Sequence, residues 1–421
     1  MRRDRNSALR VIVLGYVVRG PLGGMVASNL QYLIGLMRLG HDVYFVEDSD
    51  DYVSCYDPSI DDMTTDPTYG LGFAGRSFDR IGLGGNWAYH DAHTSRWLGP
   101  AADRIPSVIS SADLVLNLCG VNPLRPWLLE VPARILVDED PGFTQIRHLT
   151  DPAARATAAL HTAFFSFAEN IGGPLSKVPD DGFSWGPTRQ PVVADSWPVA
   201  PPKPEGKFTT LMQWESYSTP VFAGVRYGQK RESFRPYLDL PRHTGPVLEL
   251  AISRLPTSDR KLLIANGWSL TDQTVPSRDP CAYQRFVHDS KAEFSVAKEG
   301  YVVSRCGWFS ERSACYLATG RPVVVQDTGF TRWLNSDRGL LAFRSPEEAA
   351  AGVEEVISHY PLHCRAAREV AESFFNAETI LASLLERSMD PRKDPSDGAA
   401  CRSEVTPSYP FTVPGSQEYN T

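Results

Sequence analysis

Residues 294–329 constrain the fold more tightly than any other stretch of the chain. They read as strand, polar loop, helix, tight turn, strand and polar loop. Ser310 stands where a helix N-cap belongs and Glu311 follows in the first turn. Ala314, Leu317 and Ala318 make an apolar stripe, and Gly320 marks the stop. Pro322 then leads into Val323–Val325, an all-apolar run of the kind buried on both faces of a parallel sheet. The loop before the helix carries Arg305, Ser310 and Arg312, and the loop after the strand carries Asp327, Thr328 and Gly329. Open α/β sheets bind ligands beyond the carboxyl ends of their strands, where a helix N-terminus attracts an anion. The unit is therefore expected to hold the phosphates of an activated donor.

A second unit of this kind opens the chain. Residues 10–15 read as a strand, residues 17–24 as a glycine-containing loop, and Val26, Leu30, Leu33, Ile34 and Met37 as one face of a helix stopped by Gly40. A strand over 43–46 follows. Gly23 and Gly24 sit before the helix, where backbone can approach a phosphate. Glu47 and Asp48 suit a ribose, but the loop is not GxGxxG. A dinucleotide loses its main support, and no cofactor is expected.

At 421 residues the chain is long enough for two domains. No apolar run reaches the ~18 residues of a membrane span, and the segment at 11–14 is too short for a signal-peptide core. The seven cysteines are scattered and never in CxxC spacing, which disfavours a disulfide framework or a zinc site and suggests a cytoplasmic protein. A net charge of −8 argues against broad nucleic-acid binding.

Between these units, residues 47–105 read as loop-rich, with His90, Asp91 and His93 as acid/base candidates or ordinary surface residues. Strands are expected at 113–118 and 135–137. The second ends in Asp138, Glu139 and Asp140, acids that are costly at a strand's carboxyl end unless solvated or used. A strand at 163–167 ends in Glu169 and Asn170, which are expected to face a cleft. Residues 173–206 read as an interdomain connection. A strand at 208–213 begins the second half, and its first loop carries Arg226, Lys230 and Arg231, which suit a diphosphate or a solvated surface. Residues 262–264 read as a strand. Ser345, Pro346 and Glu348 form a capping-box pattern before a helix, and two further helical stretches follow near 362–374 and 377–387.

Gly23-Gly24, a helix and then Leu39–Val43 resemble the N-terminal pattern of bacterial GT-B glycosyltransferases of the group 1/4 type. Tyr316–Val324 followed by Asp327–Gly329 resembles their donor-domain pattern. The resemblance covers most of residues 10–388. It implies two Rossmann-like α/β domains facing a cleft: an acceptor domain at 1–195, a donor domain at 196–375, a crossover helix at 376–389 and a disordered tail at 390–421. It implies metal-independent transfer of a sugar from a nucleotide-diphosphate donor to a small-molecule, lipid or natural-product acceptor. Donor contacts would come from Gly23, Gly24, Arg226, Lys230, Glu299, Ser310, Glu311, Arg312, Thr328 and Gly329. Asp140, Asp91 and His90 are the candidate bases, with Asp140 preferred. Many members carry two glutamates eight residues apart, the second holding the donor ribose; here those positions are Gly307 and Cys315. Glu311, one turn earlier, is the candidate substitute. A sugar-nucleotide epimerase or hydrolase, or a non-catalytic binding protein, stays open as the alternative.

Overall fold

The computed structural model describes residues 8–389; the tail expected from 390 onward lies outside the described residues. Strands of 3–7 residues, mostly apolar, alternate with helices, and the chain gathers them into two sheets. The first has eight strands, in the order Trp185–Pro187, Ala163–Ser166, Ala133–Asp138, Leu114–Leu118, Arg10–Leu14, Asp42–Asp48, Trp87–Asp91 and Arg96–Leu98. All neighbours are parallel except the last pair, which is a hairpin. The second sheet is fully parallel, in the order Ser269–Thr271, Leu248–Ala251, Phe208–Leu211, Ala292–Ser295, Val323–Gln326 and Leu340–Phe343.

In each sheet the first strand lies between the second and a later one, so each has a switch point at its middle. Crossovers leave in opposite directions there and open a crevice beyond the carboxyl ends. The two crevices face each other. Lys298, just past Ala292–Ser295, reaches Asp140, just past Ala133–Asp138, at 3.0 Å.

The chain leaves the first sheet at Pro187, enters the second at Phe208 and returns near Asn376. The two crossings are tied together, Val192 N–H donating to Phe375 O at 2.7 Å and Ala377 N–H to Val192 O at 3.1 Å. The returning helix Ala377–Met389 buries Leu381, Leu384 and Leu385 in the core of the first sheet. It crosses so close to the first helix, Gly23–Arg38, that a Cβ on Gly35 would meet Leu381 at 2.5 Å.

Three expectations fail. Residues 173–206 are not connection throughout, since Trp185–Pro187 is the edge strand of the first sheet. Residues 262–264 belong to the helix Thr257–Ala265, in which Leu263 alone is buried while Leu262 and Ile264 point to solvent. The three apolar residues in a row imitate a strand; the Asn266-Gly267 stop, with Gly267 at φ +93°, is the truer signal. Residues 47–105 are also more regular than expected. They contain the hairpin Cys55–Asp57/Asp62–Thr64, the helix Thr68–Asp79 and the strand Trp87–Asp91. The helix carries three glycines, which mask it by propensity. Gly70 is required because a Cβ there would stand 2.0 Å from Val18 O.

Candidate functional site

Three consecutive acids end the strand Ala133–Asp138 and its turn, and the fold gives them three different surroundings. Asp138 is buried and accepts hydrogen bonds from Thr144 Oγ1 at 2.6 Å, Ser166 Oγ at 2.8 Å, Asp140 N–H at 2.9 Å and Gln145 Nε2 at 3.1 Å. It braces the loop. Asp140 crosses the cleft, ion-paired with Lys298 and accepting from the hydroxyls of Tyr217 and Tyr301. The carboxylate preferred as base is thus engaged by three donors of the opposite domain. Glu139 between them has no such partners. Burial first, then Glu311, Asp138 and Asp140, push its carboxyl up to about 7, against the Cys119 thiol hydrogen bond.

Glu139 belongs to a group that the cleft assembles from both domains. Cys119 and Gly120 end the strand Leu114–Leu118 and both take positive φ, +58° and +61°. That turn leaves the Cys119 thiol exposed beside Glu139. Tyr32 on the first helix is 1% exposed, and its hydroxyl has no hydrogen-bond partner. It feels the charges of Glu139 and Glu311. Glu311 faces Glu139 from the other domain, at the first position of the helix Glu311–Ala318. An unpaired buried hydroxyl costs roughly 1–3 kcal/mol, which makes Tyr32 a candidate contact for a bound group.

In the second domain, Lys230 starts the short helix Lys230–Phe234 and lies among Arg312, Glu311, Lys298 and Glu293. Burial, then Arg312 and Lys298, lower it to about 7 against Glu311 and Glu293. Such an ammonium gains its full charge when an anion arrives. Arg312 is different. Its Nε donates to Glu293 Oε1 at 2.7 Å, Nη2 to Ser295 Oγ at 2.7 Å and Nη1 to Leu211 O at 2.9 Å. It pins its helix to two strands, which overturns its reading as a phosphate ligand. Arg226 lies on an exposed hairpin and pairs with Glu232 at 2.8 Å. Ser310 caps the helix, accepting from Arg312 N–H at 3.2 Å. With Ser295, Ala297, Trp308 and Phe330 it lines a cavity beyond the strands Ala292–Ser295 and Val323–Gln326. Thr328 and Gly329 shape the loop beside it: Thr328 Oγ1 donates to Trp308 O, and Gly329 takes φ +93°. Glu299 packs against Gly228 with its Oε2 buried and unpartnered.

No protein-family model matches the chain, and no curated protein matches it by sequence. Solved structures do match over nearly its whole length. An alpha-glucosyltransferase in complex with UDP-glucose and DNA containing an abasic site aligns over 91% of this chain and 100% of its own, with TM-score 0.57 and 10% identity. HepE of Anabaena in complex with UDP-glucose aligns over 90% and 98%, with TM-score 0.53 and 11% identity. A glycosyltransferase from Rickettsia africae aligns over 90% and 97%, with TM-score 0.50 and 11% identity. The fold is that of the GT-B glycosyltransferases.

Within this GT-B frame the remaining candidates disperse. Gly23 and Gly24 pack rather than cradle. A Cβ on Gly23 would stand 2.3 Å from Asp279 O, and one on Gly24 would stand 3.3 Å from the Tyr283 ring. They let the helix Pro280–Asp289 of the second domain close onto the first helix, which corrects their phosphate reading. Cys315, at the position of the expected ribose glutamate, is buried against Tyr283 in the same contact. Glu47 accepts from the N–H groups of Val17, Val18 and Arg19 at 2.7–2.8 Å, so it holds a loop instead of a ribose. Asp91 closes a turn, accepting from Thr94 Oγ1 at 2.6 Å. His90 Nδ1 meets Asp48 Oδ2 at 2.7 Å under Trp97 and Trp127. Glu169 pairs with Arg189. Asn170 bridges the domains, donating to Gly329 O at 3.0 Å and Arg305 O at 3.1 Å.

Proposed function

We propose that the chain transfers a sugar from a nucleotide-diphosphate donor to a hydroxyl acceptor, and that Glu139 is the base. The observation that carries this is the Glu139 site: a carboxyl raised to about 7, between the unpartnered Tyr32 hydroxyl and Glu311, at the mouth of a two-domain cleft. A base poised near neutrality accepts the acceptor proton as the new glycosidic bond forms. Tyr32 holds the substrate hydroxyl by the hydrogen bond it lacks in the free protein.

Lys230, with the N-terminus of the helix Glu311–Ala318, stabilises the leaving diphosphate as the bond to the sugar breaks. Glu299 takes a sugar hydroxyl on its unpartnered oxygen, and the nucleotide enters the cavity at Ser310, Trp308 and Phe330. Glu311 takes the ribose that Cys315 cannot reach. Chemistry at Glu139 means inversion at the anomeric carbon, since this base serves direct displacement. Closure of the domains excludes water from the donor. The UDP-glucose complexes of the structural neighbours make UDP-glucose the first donor to try. The DNA of one neighbour is not carried over, because this chain has a net charge of −8.

The test is a panel of nucleotide sugars scored by thermal shift and by nucleotide release, with and without acceptor extracts. Stabilisation by a donor and release that needs an acceptor support transfer. Release without any acceptor points to a hydrolase or epimerase, and binding without release in any extract to a non-catalytic protein.

A further inference from the structure

The flank of the cleft carries a second polar feature, separate from the Glu139 and Lys230 groups. The helix Thr68–Asp79 of the first domain and residues 278–280 of the second line a groove of about 220 Å³. Three arginines line it: Arg76 and Arg80 from one domain, Arg278 from the other. Tyr69, Phe73 and Pro280 form its less polar wall. Surface arginines ordinarily meet acids, and in a chain of net charge −8 acids are abundant. Yet among the described residues Arg76 and Arg80 form no ion pair, and Arg80 donates to the Cys281 thiol instead. The acid in the groove lining is Asp279. One of its oxygens accepts from Ala282 N–H at 2.8 Å, capping the helix Pro280–Asp289, and the other pairs with Arg278 at 3.4 Å. Three arginines thus line a space with one carboxylate, Asp279, which Arg278 already engages.

We propose that this groove binds a phosphate-bearing small molecule, bridging the two domains through Arg76, Arg80 and Arg278. Guanidinium forks match phosphate oxygens in pairs, and arginines arriving from both walls suit a tetrahedral dianion. The groove lies where Gly23 already meets Asp279 O, so its occupant holds the domains in the contact seen here. Tyr69, partly exposed at the groove, offers a ring surface for an organic substituent. The phosphate is therefore either free or carried on a small molecule.

Calorimetric titration of the full chain with inorganic phosphate and with phenyl phosphate, at constant ionic strength, tests this. The probes bind the wild type and a Lys230→Met variant alike at the groove, and at least 5-fold more weakly to the exposed-surface double variant Arg76→Gln/Arg278→Gln. Cys281 reports the site independently: phosphate slows its alkylation by iodoacetamide, read by peptide mapping, in the wild type and not in the double variant. Tighter binding of phenyl phosphate identifies a phosphate carried on a small molecule, and equal binding a free one. Equal affinities of wild type and double variant, or a Cys281 rate indifferent to phosphate, overturn the proposal.

Discussion

Two charged groups meet at the start of the helix Glu311–Ala318, and they differ in completeness. Around Arg312 the guanidinium is closed on Glu293, Ser295 and Leu211 O, with only the second Glu293 oxygen among these groups left unpartnered. Around Glu139 and Lys230 the contacts are open: a carboxyl and an ammonium both brought to about 7, and a buried tyrosine hydroxyl with no partner. A satisfied network fixes structure. An unsatisfied one stores a cost that a substrate can relieve. Residue type did not separate the two groups, since both are made of acids and bases on neighbouring turns.

The sharpest way to break this contrast is to exchange which group matters for rate and which for stability. Glu139→Gln is expected to lower kcat about 10²–10⁴-fold, the range of general-base catalysis, with little change in KM. The wild-type kcat rises with pH through about 7, as Glu139 loses its proton, and the variant lacks that limb. Stability moves the other way. Because the folded carboxyl titrates above its unfolded value, the native state binds the extra proton between pH 4.5 and about 7, so stability falls as pH rises through that window. Glu139→Gln flattens this slope in urea titrations. A variant with normal kcat would return Glu139 to the role of a buried bystander.

Arg312→Met is the counterpart. It leaves the fully buried Glu293 without its cation and is expected to destabilise the fold by ~3–5 kcal/mol. Chemical denaturation measures this; a loss of donor affinity with unchanged stability would make Arg312 a ligand after all. Lys230→Met should do the opposite, costing about 10-fold or more in donor affinity with little loss of stability, since its charge is already strained by burial. Donor affinity of the wild type should fall as pH rises above about 7, because the free ammonium deprotonates there while the diphosphate complex needs it charged. Calorimetry in buffers of different ionisation enthalpy reads the proton uptake directly; its absence at pH 8 would separate Lys230 from the phosphates.

The same contrast explains what the sequence showed. The architecture was legible because the apolar runs at 11–14, 43–46, 114–116 and 323–325 each lie in strands buried on both faces, and the Ser310 and Ser345 N-caps form as read. The site was legible only as a neighbourhood. The triplet Asp138–Asp140 stood out, but which acid stays free depends on Tyr217, Lys298 and Tyr301, which lie 77 to 161 residues away in sequence. Tyr32 carried no signal at all, being one more aromatic on an apolar helix face. Gly23 and Gly24 were recognisable as a close approach, but the approaching group is the Asp279 backbone. Gly23→Ala should accordingly cost ~1–3 kcal/mol through overpacking, measured by thermal unfolding, and leave donor affinity of the folded protein within a few-fold.

The smallest expected effect belongs to the residue most easily mistaken for the base. Asp140→Asn keeps the side chain's shape and an acceptor oxygen for one of the tyrosine hydroxyls, and loses the ion pair with Lys298. That pair is only partly buried, so about 1 kcal/mol of stability is at stake. Loosening this cross-cleft contact should raise KM modestly and leave kcat within ~10-fold, well short of a lost general base. Steady-state kinetics of Asp140→Asn and Glu139→Gln side by side therefore settle which of two adjacent carboxylates moves the proton. If Asp140→Asn loses 100-fold or more in kcat at unchanged KM while Glu139→Gln does not, the open and closed groups have been assigned the wrong way round. The donors on Asp140 would then be the device that orients a catalytic carboxylate.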